Sequence, residues 1–117
     1  MAGKLSTHVL DLTSGKPAGG LRIELRRLSP EPAVLKTVFT NADGRTEGPL
    51  LGPSEMRAGT YLLEFYAGEY FAQRGVPLPE IPFIDIVPIR FGISDPSASY
   101  HVPLLVTPWA YNTYRGS

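Results

Sequence analysis

At 117 residues the chain is the size of one domain, large enough to bury roughly two thirds of its unfolded surface in a single core. Eleven Lys and Arg balance eleven Asp and Glu, so no net field selects nucleic acid, an anionic membrane or a polycation, and a charged partner must be recognised locally. The absence of cysteine excludes a disulfide framework, a thiolate nucleophile and every cysteine-containing metal site, leaving packing alone to hold the fold.

The opening residues, Met1 to His8, hold no apolar run long enough for a signal peptide, and no later segment approaches a membrane span. The expectation is a soluble, cytoplasmic, single-domain protein over residues 1–117 with no nucleic-acid or membrane partner. Leu5 to Leu12 is the first predicted strand. Alternation puts Ser6, His8 and Leu10 on one face, with Leu5, Thr7, Val9 and Asp11 on the other. Ser14 to Pro17 is predicted to turn the chain. Its Gly-Lys pair lacks the spacing of a phosphate loop, and Pro17 removes a backbone donor.

Gly20 to Leu28 alternates Leu21, Ile23 and Leu25 with Arg22, Glu24 and Arg26, the pattern of a strand with one buried and one wet face. Ala33 to Thr40 follows, ending at Asn41-Ala42-Asp43-Gly44, where Asp and Gly suit a tight turn that releases Arg45. Gly59 to Tyr66 reads as a strand. Ala67 to Arg74 reads as the single short helix, with Tyr70 and Phe71 packing inward and Gly75 placed to end it. Prolines 77, 79 and 82 carry an extended connection to a strand at Ile84 to Ile93, in which Pro88 argues for an edge position or a bulge. Asp95-Pro96 turns into a final hairpin, His101 to Val106 and Trp109 to Tyr114, around Thr107-Pro108. Seven or eight strands and one short helix make an all-β fold, an antiparallel sandwich of two sheets.

Polar candidates for chemistry are His8, Arg45, His101, Tyr114, Arg115 and Ser117, drawn from distant parts of the chain. A lone histidine on a strand is more often a solvated or hydrogen-bonded side chain than a catalyst, and an arginine after an Asp-Gly turn is usually just exposed. No Ser-His-Asp order, paired-carboxylate spacing or nucleotide loop stands out. Pattern alone ends at a β-sandwich.

Four motifs in order take the reading further. Leu5-Ser6-Thr7-His8-Val9-Leu10-Asp11 with Gly15-Lys16-Pro17-Ala18, then Asp43-Gly44-Arg45 with Pro49-Leu50-Leu51, then Tyr100-His101-Val102-Pro103-Leu104-Leu105, and finally Tyr114-Arg115-Gly116-Ser117 are similar to those of the 5-hydroxyisourate hydrolases, enzymes of the transthyretin-like family. Ala67 to Phe71 falls where that family has its short helix. The resemblance implies two four-stranded sheets per subunit, paired through edge strands into a dimer and stacked as a homotetramer around a channel. It implies His8, Arg45, His101 and Ser117 as catalytic residues, Tyr114 and Gly116 as substrate contacts, and Arg115 as an anchor for the tail. The implied reaction is hydrolysis of 5-hydroxyisourate at a ring amide, giving 2-oxo-4-hydroxy-4-carboxy-5-ureidoimidazoline on the route from urate to allantoin. Either histidine could be the general base, with Arg45 the cation that keeps it neutral and clamps the oxyanion. No organic cofactor is needed, and without carboxylate or thiolate ligands a metal shell looks thin. The alternatives are a carrier of the transthyretin type that binds an aromatic ligand in the same channel, and an interaction module that recruits a protein through its sheet edges.

Overall fold

Burial alternates residue by residue along most of the strands, and that alternation sorts the chain into two sheets. The computed structural model describes residues 3–116. Strand β1, Leu5–Asp11, buries Leu5, Thr7, Val9 and Asp11 and leaves Ser6, His8 and Leu10 half-buried on its other face. A two-residue strand β2, Lys16–Pro17, folds back on the end of β1, with Leu10 opposite Pro17. The segment predicted only to turn the chain therefore also pairs, at a sheet edge where a proline's missing N–H costs nothing. Strands β3, Arg22–Ser29, and β4, Ala33–Phe39, form a hairpin. Strand β5, Gly59–Tyr66, runs straight into helix α1, Ala67–Gln73. Strand β6, Ile86–Ile93, follows the proline-rich connection. Strands β7, Tyr100–Val106, and β8, Tyr111–Thr113, close the chain.

The first sheet has the order β2-β1-β7-β8 and the second β4-β3-β5-β6. The expected two four-stranded sheets and single short helix are present, with Pro88 in the edge strand β6. One pairing differs from an all-antiparallel sandwich: β1 and β7 run parallel, with Ser6 opposite His101 and His8 opposite Pro103. Strands that are not hairpin partners are free of the tight-turn constraint that enforces antiparallel pairing. The last strand is also shorter than its apolar composition predicts. Thr107 accepts the N–H groups of Trp109 and Ala110 on its hydroxyl at 3.0 and 2.9 Å, holding both residues in the turn.

Between the sheets lies one core, in which Leu5, Val9, Ile23, Leu25, Leu63, Phe65 and Leu104 are fully buried. Helix α1 covers one end of it. Phe71 is fully buried, and Tyr70 packs edge-on against its ring at 5.1 Å. Gly75, at φ +74°, ends the helix, and the next N–H, that of Val76, donates back to Phe71. The Tyr70 hydroxyl donates to the buried Asp11 Oδ2 at 2.9 Å, while Asp11 Oδ1 accepts the N–H groups of Thr13 and Ser14. One side chain thus ties the helix to the end of β1. Tyr70→Phe keeps the ring packing but strands a buried acceptor, and is expected to cost about 1–3 kcal/mol in denaturant unfolding. An unchanged midpoint would show that water replaces the hydroxyl.

Candidate active site

The outward face of β1 and β7 carries the two histidines. Their register puts Ser6 level with His101, and His8 two residues further along the neighbouring strand. At sheet spacings the two histidine Cα atoms are then about 8 Å apart, close enough for both imidazoles to reach one small molecule.

His101 is held at three points. Its Nδ1 lies 2.9 Å from the Ser6 hydroxyl, which leaves Nε2 to face outward. Its main-chain carbonyl accepts the N–H of Gly116 at 2.7 Å, so the tail folds back along β7. Gly116 itself lies against the ring: a Cβ there would stand 2.7 Å from His101 Cδ2. No larger residue fits without moving the imidazole. Arg115 fastens the tail, donating to the Ser99 carbonyl at 3.0 Å and laying its guanidinium 4.2 Å over the Tyr100 ring. The anchoring role expected for Arg115 is what these contacts provide.

His8 is held differently. Its Nε2 meets the main-chain carbonyl of Asp43 at 2.8 Å, across from β1 to the turn that follows β4. That turn also delivers Arg45. Arg45 is exposed, and with Lys4, Ser6, Thr46, Gly48 and Pro49 it lines a hollow of about 280 Å³ that reaches the histidines through Ser6, the partner of His101. This volume suits one small planar ring, and among the described residues no carboxylate lines it.

The electrostatics tie the three groups together. Burial lowers the His101 pKa below the ordinary histidine value, and the Arg45 guanidinium and then His8 lower it further, while the contact with Ser6 pulls the other way. The neutral, proton-accepting ring therefore survives to lower pH than in a free histidine. By linkage, the stability associated with His101 is fully present above the ordinary histidine value and is lost as pH falls through the depressed folded value. Arg45→Gln removes one depressing cause, so the His101 midpoint in an NMR titration is expected to move up. A midpoint that stayed put would mean that Arg45 does not face the ring.

The structure thus brings together His8, Arg45, His101 and Gly116. Tyr114 lines a separate hollow of about 240 Å³ between the free edges of β6 and β8, with Arg90, Phe91 and Tyr100. Ser117 lies outside the described residues. Among the described residues no three His, Asp or Glu side chains gather as a metal-binding group.

The sequence profile of the HIUase/Transthyretin family matches residues 5–116. The chain belongs to that family. Among curated relatives, the 5-hydroxyisourate hydrolase of Mesorhizobium japonicum is 55% identical over 116 residues, covering 98% of this chain and 93% of its own. Among solved structures, an (S)-allantoin synthase superposes with a TM-score of 0.94 at 49% identity, over 99% of this chain but only 44% of that longer one. Sea bream transthyretin in complex with thyroxine superposes at 0.83 with 25% identity, over 97% of this chain and 94% of its own. The HIUase/Transthyretin fold is therefore common to these proteins, and the residues on the β1–β7 face must decide between a reaction and a carrier's grip.

Sequence reasoning missed Ser6 and the carbonyl of Asp43 as partners of the two histidines. Ser6 carries a signal in hindsight, since it shares the outward face with His8. The Asp43 contact is made by a main-chain atom, which no residue type advertises.

Proposed function

We propose that the protein is a 5-hydroxyisourate hydrolase, opening the substrate's six-membered ring at an amide carbonyl to give 2-oxo-4-hydroxy-4-carboxy-5-ureidoimidazoline. The observation that carries this reading is the pair of half-buried histidines, each held through one ring nitrogen, beside the cation Arg45. A carrier needs shape and apolar surface, whereas two orientated imidazoles next to a guanidinium are the parts of a hydrolytic site. The full-length relationship to a hydrolase at 55% identity, against 25% for the transthyretin, supports the same choice.

In the mechanism we infer, one imidazole takes a proton from water as the water oxygen bonds to the ring carbonyl. Negative charge collects on that carbonyl oxygen, where the guanidinium fork of Arg45 supplies two parallel donors. The tetrahedral intermediate collapses by breaking the C–N bond, and the departing nitrogen receives its proton from an imidazolium. A carboxyl group and an N–H group result, and both histidines return to their starting state. Gly116 keeps the tail close to His101 without crowding it. Tyr114 and Ser117 remain proposed contacts supplied by the tail, and no cofactor takes part.

The assembly we propose is a tetramer in which the free edges of β6 and β8 pair and the outward β1–β7 faces of two dimers enclose a channel. Exposed edges favour such pairing. So does the exposed apolar surface around them, where Phe83 stacks on Trp109 at 6.2 Å with Ile81 and Tyr111 also uncovered. No described helix is long and apolar enough to cross a membrane. The cytoplasm is our proposed compartment, since a cysteine-free chain needs no oxidising one.

The test is the absorbance decay of freshly generated 5-hydroxyisourate with and without protein, on samples sized by analytical ultracentrifugation. A faster first-order decay by the tetramer is the expected result. Stoichiometric binding of the substrate with no acceleration would replace the enzyme with the carrier, and full activity in a stable monomer would remove the shared channel.

A further inference from the structure

The turn that follows β4 does more than release Arg45. Asn41 sits at its start and organises it from both ends of one amide. Its Oδ1 accepts the N–H of Asp43 at 2.9 Å and that of Arg45 at 3.2 Å, and its Nδ2 donates to Glu47 Oε2 at 2.9 Å. Only the oxygen can accept two N–H groups and only the nitrogen can donate to a carboxylate, so the network itself fixes which way the amide faces. The main chain closes the same loop. Gly44 N–H donates to the Asn41 carbonyl at 2.9 Å, and Asn41 N–H donates to the Arg45 carbonyl at 2.8 Å.

This turn is docked on β1 at two adjacent residues. The N–H of Val9 donates to the Gly44 carbonyl at 2.8 Å, and His8 Nε2 meets the Asp43 carbonyl at 2.8 Å. Gly44 has φ +75°, and a Cβ there would collide with the Val9 carbonyl, so both the left-handed backbone and the close approach require glycine. A main-chain carbonyl only accepts. His8 Nε2 must therefore carry a hydrogen, and in the neutral ring the lone pair is on Nδ1. His101 is bound through the other nitrogen, its Nδ1 against Ser6. The two rings are thus held through opposite nitrogens, leaving Nδ1 of His8 and Nε2 of His101 without these partners.

We propose that Asn41 is a positioning residue that holds the Asp43 carbonyl against His8 and so fixes His8 as the Nε2–H tautomer, with Nδ1 as its reacting nitrogen. The same side chain, through the N–H of Arg45, sets where the guanidinium begins its reach. This inference rests on the hydrolase reading for its catalytic meaning, but the tautomer is a property of the resting protein. It concerns three residues that act through neighbours, since Asn41, Asp43 and Gly44 need not touch the substrate at all.

The experiment is long-range ¹H–¹⁵N correlation of the two imidazoles in ¹⁵N-histidine-labelled protein, read beside kcat and KM. In the native protein the neutral His8 ring is expected to carry its hydrogen on Nε2. Asn41→Ala should give a mixture of tautomers at His8 while His101 keeps its pattern, with kcat lowered roughly ten- to hundredfold and KM changed far less, as misplacement of a catalytic group predicts. Asn41→Asp combined with Glu47→Gln keeps an oxygen to accept the N–H groups of Asp43 and Arg45 and reverses the donor and acceptor at the outer contact, and is expected to restore both the tautomer and kcat to within about threefold. If Asn41→Ala does not fold, Asn41→Ser, with one hydroxyl acceptor, takes its place under the same readings. An Nδ1–H tautomer in the native protein overturns the proposal, as does an unchanged His8 spectrum in the variant, or a lost tautomer with undiminished kcat. If no form of the protein hydrolyses 5-hydroxyisourate, the function fails, while the imidazole spectra still decide whether Asn41 fixes the ring.

Discussion

His101→Ala and His8→Ala are each expected to lower turnover by about a hundredfold or more, the usual worth of a positioned acid or base, in a protein that still folds. The second half of that expectation follows from where the side chains lie. Both rings are half-buried on the outward face of the first sheet, and neither belongs to the core between the sheets. Truncating them opens no cavity of the kind that destabilises by several kcal/mol. Arg45→Lys should fail almost as badly, because the ammonium keeps the charge but cannot present two parallel donors to an oxyanion. The measurement is initial substrate decay at matched protein concentration, with circular dichroism and sedimentation reporting the fold. Near-normal turnover in both histidine variants would remove acid–base chemistry from this face altogether.

Deleting Tyr114 to Ser117 should abolish hydrolysis far more completely than it disturbs the sandwich. Tyr114 and Arg115 are exposed, β8 ends at Thr113, and terminal residues of a β-domain are normally expendable. The loss to the site is larger. The deletion removes the N–H that binds the His101 carbonyl, the glycine against its ring, and the Arg115 anchor on Ser99 and Tyr100. If the tail also supplies a donor to the oxyanion, its removal costs roughly 3 kcal/mol, or about a hundredfold in rate. Two point variants divide the effect. Gly116→Ala drives a methyl group against His101 and should lower kcat with little change in unfolding, whereas Ser117→Ala, which keeps the main chain, should cost less than the deletion. Equal activity in the full-length and truncated proteins would take the tail out of the site and weaken the case for a hydrolase over a carrier.

Most of the architecture was legible because strands with one buried face write their period directly into the sequence. β3 and β5 read clearly since Leu21, Ile23 and Leu25, and Tyr61, Leu63 and Phe65, alternate with polar or half-exposed neighbours. Pro88 announced an edge strand, and Gly75 the end of the helix. The parallel pairing of β1 with β7 was not legible, because period two fixes which face a residue takes and says nothing of the direction of a partner 95 positions away. The site divided along the same line. The motifs that carry the family resemblance named His8, Arg45 and His101, whereas Ser6, Asn41 and the Asp43 carbonyl emerged only from contacts between segments. Asn41-Ala42-Asp43-Gly44 did read as a turn. Nothing in its residue types said that its second half would be spent on an imidazole.

The parallel register of β1 and β7 also bears on how the protein acquires its activity. The strand with His8 is the first in the chain and the strand with His101 the seventh, and their alignment is made by contacts among the most distant in sequence. Closing so long a loop precedes any reward from the pairing, so this seam belongs to the slow, non-local part of folding. During refolding the hairpins of the second sheet can form from neighbouring segments while no hydrolytic centre yet exists. Recovered turnover therefore cannot precede the moment at which β1 and β7 meet, and any further lag reports assembly.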